Sequence, residues 1–309
     1  MKGNVVIVGG GRMGSGISAV SALHGNSTIL TDINRDAAER GIERAWACIQ
    51  ELAENGLADE NQVEKAKMLL KVKSNLKDAL SQASMVIEAV PENLELKKSI
   101  FAQIEKITGR DVPILSNTSG LRITDISGDM EHPERAVTAH FWYPAHLVPL
   151  VEVVMGDKTR EETACFVKDE IASWGKKTVL VKKDLPGQLA NRILQAVIRE
   201  AVNIVQMGLA SPEDVDTAVK AGMGIRFPVW GPLEHIDAVG RDLCSDVQDT
   251  VLPGLSARTD ANPLMRKLAG EGNLGYKTGR GIYDWSKKDM EALEKKRNDF
   301  IIQALGILK

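Results

Sequence analysis

The chain has 309 residues, 43% hydrophobic and 26% charged, with 39 Lys plus Arg against 42 Asp plus Glu and a formal net charge of -3. Such a composition excludes a disordered chain and argues against nucleic acid or an anionic membrane as the main partner. The length corresponds to about two domains of roughly 150 residues each. No apolar run approaches the roughly 20 residues of a membrane span, and no charged-then-apolar leader opens the chain. Cys48, Cys165 and Cys244 stand far apart, without CxxC or paired-His spacing. That pattern points away from a disulfide framework or a metal site and toward an enzyme of the reducing cytoplasm.

In chain order, short β-branched runs read as buried strands at 4–8, 27–31, 84–90, 113–116, 136–141, 150–155 and 178–181. Helical spacing fills 14–24 and 36–53 between the early ones. Strands alternating with helices predict an α/β domain, a doubly wound parallel sheet covered on both faces. Asp184-Leu-Pro-Gly187 reads as a linker, since Pro and Gly both interrupt regular structure. Beyond it, 189–205 and 213–220 carry helical patterns and strand runs nearly vanish. The expected organisation is a dinucleotide domain over 1–184 and an all-helical domain over 185–309.

The first strand runs into Gly9-Gly10-Gly11-Arg12-Met13-Gly14, a GxGxxG. In such a turn Gly9 permits the tight bend, Gly11 lets the backbone approach a pyrophosphate, and Gly14 lets helix and strand pack closely. Glycines also make ordinary turns, but here a strand precedes the motif, a helix pattern follows, and Asp32 lies 21 residues after Gly11. A carboxylate at that spacing accepts hydrogen bonds from the adenosine ribose and repels a 2'-phosphate, which selects NAD over NADP. Arg35 is the one nearby group that softens this preference.

Among five histidines, His140 ends a strand-like run and the next strand carries Glu152. A His oriented by a carboxylate can take a hydroxyl proton while hydride leaves for a nicotinamide. A buried His satisfied by a chance acid is the plainer reading of an isolated pair, and by spacing alone His146 rivals His140.

Further segments carry a resemblance to a known family: VVIVGGGRMGSGI, VIEAVPENLELKKSIF, ILSNTSGLRIT, AHFWYPAHLVPLVEVV, LPGQLANRIL, SPEDVDTAVKAG, WGPLEHIDAVG and LGYKTGRGIYDW. From end to end the chain resembles the 3-hydroxyacyl-CoA dehydrogenase family. The resemblance implies that His140 is the catalytic base, that Glu152 orients it, and that Ser119 and Asn191 hydrogen-bond the reacting oxygen. It places cofactor contacts on Gly9, Gly11, Gly14, Asp32, Glu92, Lys97, Ser119 and Lys277, and it implies a homodimer.

Three departures touch the substrate. Where the family usually has HFFNP, this chain reads His140-Phe-Trp-Tyr-Pro144, so Tyr143 replaces a small amide beside nicotinamide and substrate. The helix that in many relatives carries basic residues toward CoA here reads GIERAWACIQELAEN, one Arg against three Glu, a net -2; Lys65 and Lys67 are the nearest compensation. Arg226 precedes the Gly231-Pro232 step, where relatives acting on CoA esters generally have no arginine, and its planar fork suits a carboxylate. A domain-interface salt bridge is the competing role for Arg226; Trp142, Tyr143, Phe227 and Trp230 offer flat apolar walls if the substrate is aromatic, with core packing as their competing fate. The sequence therefore leads to an NAD-dependent oxidoreductase acting on a small carboxylate without CoA, of the kind represented in the family by gulonate, carnitine or the formyl-hydroxy-methylpyridine carboxylate of vitamin B6 breakdown. A short-chain 3-hydroxyacyl-CoA dehydrogenase is the first alternative, and a non-catalytic NAD-binding protein the second.

Overall fold

A computed structural model describes residues 3–307. The first compact unit, which runs to Arg192, comprises β1 (Asn4–Val8), α1 (Arg12–Leu23), β2 (Thr28–Thr31), α2 (Arg35–Glu54), α3 (Glu60–Leu69), β3 (Leu70–Val72), α4 (Leu76–Leu80), β4 (Ala83–Glu88), α5 (Leu94–Ile107), β5 (Ile114–Ser116), α6 (Ile123–Ile126), β6 (Ala136–Phe141), β7 (Leu150–Met155), α7 (Glu161–Ser173) and β8 (Lys177–Val181). Successive side chains of a strand point to opposite faces, and the cores divide accordingly. Val5 and Ile7 join Ile17 and Val20 of α1 and Val167 and Ile171 of α7. Val6 and Val8 join Phe101 and Ile104 of α5 and Ile123 and Ile126 of α6. Both faces of the sheet are therefore covered by helices.

The strand order is β3-β2-β1-β4-β5-β6-β7-β8. The order reverses between β1 and β4, and in such sheets ligands bind outside the carboxyl ends of the strands at that reversal. The expected all-parallel sheet needs one correction, because β6 and β7 pair antiparallel. Residues 142–149 join them, too few for the dozen or more that a parallel crossover needs. As a result the start of β7 lies at the same edge as the end of β6. The three-residue edge strand β3, with only Leu70 buried, shows no alternation and was not anticipated. β4 ends at Glu88 rather than at residue 90, because the Val90 N–H turns to the Glu88 side chain (2.7 Å).

The first unit extends past the Pro186-Gly187 step. Asp184 is buried and accepts from the Thr124 N–H (2.8 Å), and the first residues of α8 (Ala190–Gln206) are tied to Glu152 of β7. From Ile193 the second unit contains the rest of α8, then α9 (Pro212–Thr217), α10 (Pro232–Val239), α11 (Arg241–Val251), α12 (Pro263–Gly270) and α13 (Met290–Ile307). Apart from two isolated bridges at Arg280 it is helical. The helix expected over 213–220 stops early, giving way to a wider π turn over Ala218–Gly224. Gly222 and Gly224 lower helical propensity there.

Candidate active site

The glycine loop leaves β1 at the reversal of strand order. Gly9 has φ +109°, and a Cβ there would come within 2.7 Å of the Ala89 carbonyl oxygen. A Cβ on Gly14 would fall 1.9 Å from the Gly9 carbonyl oxygen. Gly11 caps α1, and a Cβ on it would meet nothing within 4 Å, so open space faces the helix amides. Past β2, Asp32 accepts from the Gly10 N–H through Oδ2 and from the Ile33 N–H through Oδ1, both at 2.6 Å. A carboxylate has about four lone-pair sites, so capacity for ribose hydroxyls remains. Asn34, not Asp32, caps α2. Arg35 is engaged by Glu39 at 2.7 Å, and Arg44 donates to the Gly10 carbonyl. Close packing under Gly9 and Gly14, open space at Gly11 and an acid after β2 fit a dinucleotide.

A buried polar chain braces the neighbouring loop. Glu88 at the end of β4 accepts from Lys97 Nζ, Ser116 Oγ and the Val90 N–H, each at 2.7 Å. Lys97, 1% exposed, also donates to the Val90 carbonyl (3.2 Å) and lies 3.4 Å from Glu92. Glu92 accepts from Thr118 Oγ1 and from the N–H groups of Ser119 (3.2 Å) and Gly120 (3.1 Å). Burial alone would raise the Glu92 carboxyl, but Thr118, Lys97 and Gly120 outweigh it and hold it below its ordinary value. The chain ends at Ser119, exposed at the carboxyl edge of β5.

Antiparallel register sets His140 of β6 directly opposite Glu152 of β7. His140 is 7% exposed, Glu152 fully buried, and His140 Nδ1 lies 2.7 Å from Glu152 Oε2. Trp142 Nε1 donates to the same oxygen (3.0 Å), while Oε1 accepts from the N–H groups of Leu189 (3.0 Å) and Ala190 (2.8 Å). Burial pushes the Glu152 carboxyl up, yet these donors, led by His140, bring it down to about 2. An ionised carboxylate only accepts, so Nδ1 is the donor and the neutral ring presents Nε2 as acceptor. Nε2 has no hydrogen-bond partner among the described residues. His146 is placed differently: its Nε2 lies 2.7 Å from Glu51 Oε2 of α2.

The carboxylate that orients His140 thus also holds the start of α8, whose second residue is Asn191. Tyr143 is half-exposed, with the Arg12 guanidinium 5.9 Å from its ring centre. The structure brings Gly9, Gly11, Gly14, Asp32, Glu92, Lys97, Ser119, His140, Tyr143, Glu152 and Asn191 into the first unit. Arg226 and Lys277 belong to the second unit. Arg226 is exposed, donates from Nε to the Gly222 carbonyl (3.3 Å) and forms no ion pair among the described residues. Two contributors escaped sequence reasoning. Trp142 looked like a flat apolar wall, and its indole donor has no sequence signature. Gln188, at φ +53° and 5% exposed, donates to the Thr118 carbonyl (2.8 Å) next to Ser119, and nothing in its neighbourhood announces it.

The doubly wound unit and its glycine loop define an NAD-dependent dehydrogenase. Residues 4–185 match the family model described as 3-hydroxyacyl-CoA dehydrogenase, NAD binding domain, and residues 187–285 match 3-hydroxyacyl-CoA dehydrogenase, C-terminal domain. The chain belongs to the 3-hydroxyacyl-CoA dehydrogenase family. It is 34% identical to the 5-formyl-3-hydroxy-2-methylpyridine 4-carboxylate 5-dehydrogenase of Mesorhizobium japonicum, over 99% of this chain and 98% of that one. It is 36% identical to a probable 3-hydroxybutyryl-CoA dehydrogenase of Bacillus subtilis, over 92% of this chain and 98% of that one. A crystal structure of a 5-formyl-3-hydroxy-2-methylpyridine 4-carboxylic acid 5-dehydrogenase, described as an NAD+-dependent dismutase, superposes with a TM-score of 0.91 at 33% identity, covering 100% of this chain and 99% of that one. No described helix is long and apolar enough to cross a membrane.

Proposed function

We propose that this dehydrogenase oxidises a small free carboxylate bearing a hydroxyl or a hydrated aldehyde, of the class represented by 5-formyl-3-hydroxy-2-methylpyridine 4-carboxylate. The observation that carries the chemistry is the His140–Glu152 pair at 2.7 Å, with Nε2 left open. His140 Nε2 takes the substrate hydroxyl proton, and ionised Glu152 stabilises the imidazolium that forms. Ser119 Oγ and the Asn191 amide donate to the oxygen as negative charge develops on it. Gly9, Gly11, Gly14 and Asp32 would hold the dinucleotide, and Lys97 works through Glu92 to fix the Ser119 loop; Lys277 is assigned to the cofactor on the family resemblance alone. A bound NAD+ would supply the acceptor for the hydride that leaves the substrate carbon.

Three features support a free acid over a CoA ester. The segment 41–55 has net charge -2; its Arg44 is spent on the Gly10 carbonyl, and its Glu51 on His146. Lys67 is paired with Glu64. Arg226 offers a guanidinium without an acid partner among the described residues, and we assign it to the substrate carboxylate; the Tyr143 assignment to substrate rests on the family motif it alters. Similarity to the Mesorhizobium enzyme along nearly the whole chain points the same way. With such an acid, Arg226→Ala should raise KM about 10- to 100-fold and change kcat little, since it removes a charge-assisted bond made equally in ground and transition states. Unchanged KM would reject the clamp. The 36% identity to the Bacillus protein favours the second reading, a 3-hydroxybutyryl-CoA dehydrogenase.

The reading includes a homodimer in a reducing cytoplasm. Among the described residues of the second unit, Val202 and Asn262 alone are buried. Val229, Leu233 and Ile307 are 79%, 77% and 80% exposed. So small a core does not pay the conformational entropy of a unit this size, and a second copy covering the apolar helices supplies what is missing. The cysteines are unpaired, and burial pushes the Cys48 thiol up to about 12, far from the range of a reactive thiolate.

A further inference from the structure

We propose that Trp142 is a positioning residue for the reaction: by sharing one oxygen of Glu152 with His140, its indole N–H sets the orientation and the proton affinity of the catalytic imidazole. Nε1 of Trp142 donates to Oε2 at 3.0 Å, the atom that also accepts from His140 Nδ1 at 2.7 Å. The other oxygen is taken by the Leu189 and Ala190 amides, so influence on His140 passes through Oε2. The indole and imidazole centres lie 5.4 Å apart at 49°, which leaves each ring in contact with the other as well as with the shared acceptor.

No charged group competes for this role among the described residues. His140 and Glu152 lie within ion-pair distance of each other and, among the described residues, of no third oppositely charged side chain. On the neighbouring strand β8, Val179 stands in register with Glu152, while Ala164, Val167 and Ile171 of α7 pack with Val151 and Val153 on the other face of the sheet. On Oε2 itself the donors among the described residues are the imidazole and the indole. A second donor there withdraws negative charge from the oxygen that faces Nδ1. The carboxylate then stabilises the imidazolium less, so Nε2 stays unprotonated and ready to accept, and the Nδ1 proton stays on the ring. The same bond fixes the tilt of His140, because Oε2 cannot swing away from the ring without losing the indole.

The inference rests on His140 being the base, and its test needs no substrate. His140 would be titrated by NMR in the full chain, wild type and Trp142→Phe. Loss of one charge-assisted bond should move the His140 midpoint to higher pH by about half a unit. In the wild type, the Trp142 indole N–H resonance should shift through the same midpoint as His140. An unmoved His140 midpoint in the folded variant overturns the proposal. If Trp142→Phe does not fold, the wild-type indole signal decides alone: a resonance indifferent to the His140 titration overturns it equally. Error in the base assignment would show separately, as turnover surviving His140→Ala.

Discussion

Four donors keep Glu152 ionised beneath His140, the state that the proposed role of His140 as base requires. His140→Ala should lower turnover by about a thousandfold or more while NAD+ still binds, measured by NADH formation and a cofactor titration. His146→Ala should stay within a few-fold of wild type, because its ring is occupied with Glu51; the reverse ranking would move the base to His146. The same carboxylate shapes acid stability. Its folded value of about 2 lies below the ordinary 4.5, so its interactions are fully present above about 4.5 and are lost as pH falls toward 2. Wild-type melting temperature should therefore drop across that window more than that of Glu152→Gln, which cannot titrate; parallel curves would contradict this. At this scale the sequence was legible where spacing carries the chemistry, as in Gly9, Gly11, Gly14 and Asp32. Choosing His140 over His146 required the family resemblance. The indole donor of Trp142 and the Gln188 side chain depend on contacts with residues 152 and 118, which no local pattern encodes.

Elements place these groups by register and by close approach. A methyl on Gly14 would collide with the Gly9 carbonyl at 1.9 Å, so Gly14→Ala must push α1 away from β1. The expected outcome is at least a tenfold loss of NAD+ affinity with a lower melting temperature; unchanged binding would show that the loop has room to give. The turn after β6 is fastened by Lys176, buried and donating to the carbonyls of Ala145 (2.6 Å) and Val148 (2.9 Å). Burial lowers its ammonium from 10.5 to about 7. Between those values the unfolded chain binds a proton that the folded chain does not, so stability rises with pH from about 7 to 10.5. The melting temperature of Lys176→Met should rise less over that range than wild type, and an identical slope would refute the linkage. Long strands and amphipathic helices were legible because their periodicity is strong. β3 was not, because three residues carry no period, and the antiparallel turn of β7 became visible only from the shortness of 142–149.

For the whole molecule, the change from strand–helix alternation to helices alone was legible near residue 187. The compact units divide at Arg192, where the tie between Glu152 and the start of α8 keeps the first residues of that helix with the first unit. The exposed apolar helices of the second unit predict a particle of twice the chain mass by light scattering at micromolar concentration; a monomer at every concentration would contradict the dimer. The central claim is a dehydrogenase for a free acid, and one measurement reaches it most directly. NADH formation would be followed with NAD+ and, separately, 5-formyl-3-hydroxy-2-methylpyridine 4-carboxylate, gulonate, carnitine and 3-hydroxybutyryl-CoA. Turnover should be confined to a free acid, with the pyridine aldehyde acid foremost. Efficient turnover of the CoA ester with none of the free acids would contradict it and return Arg226 to a structural role.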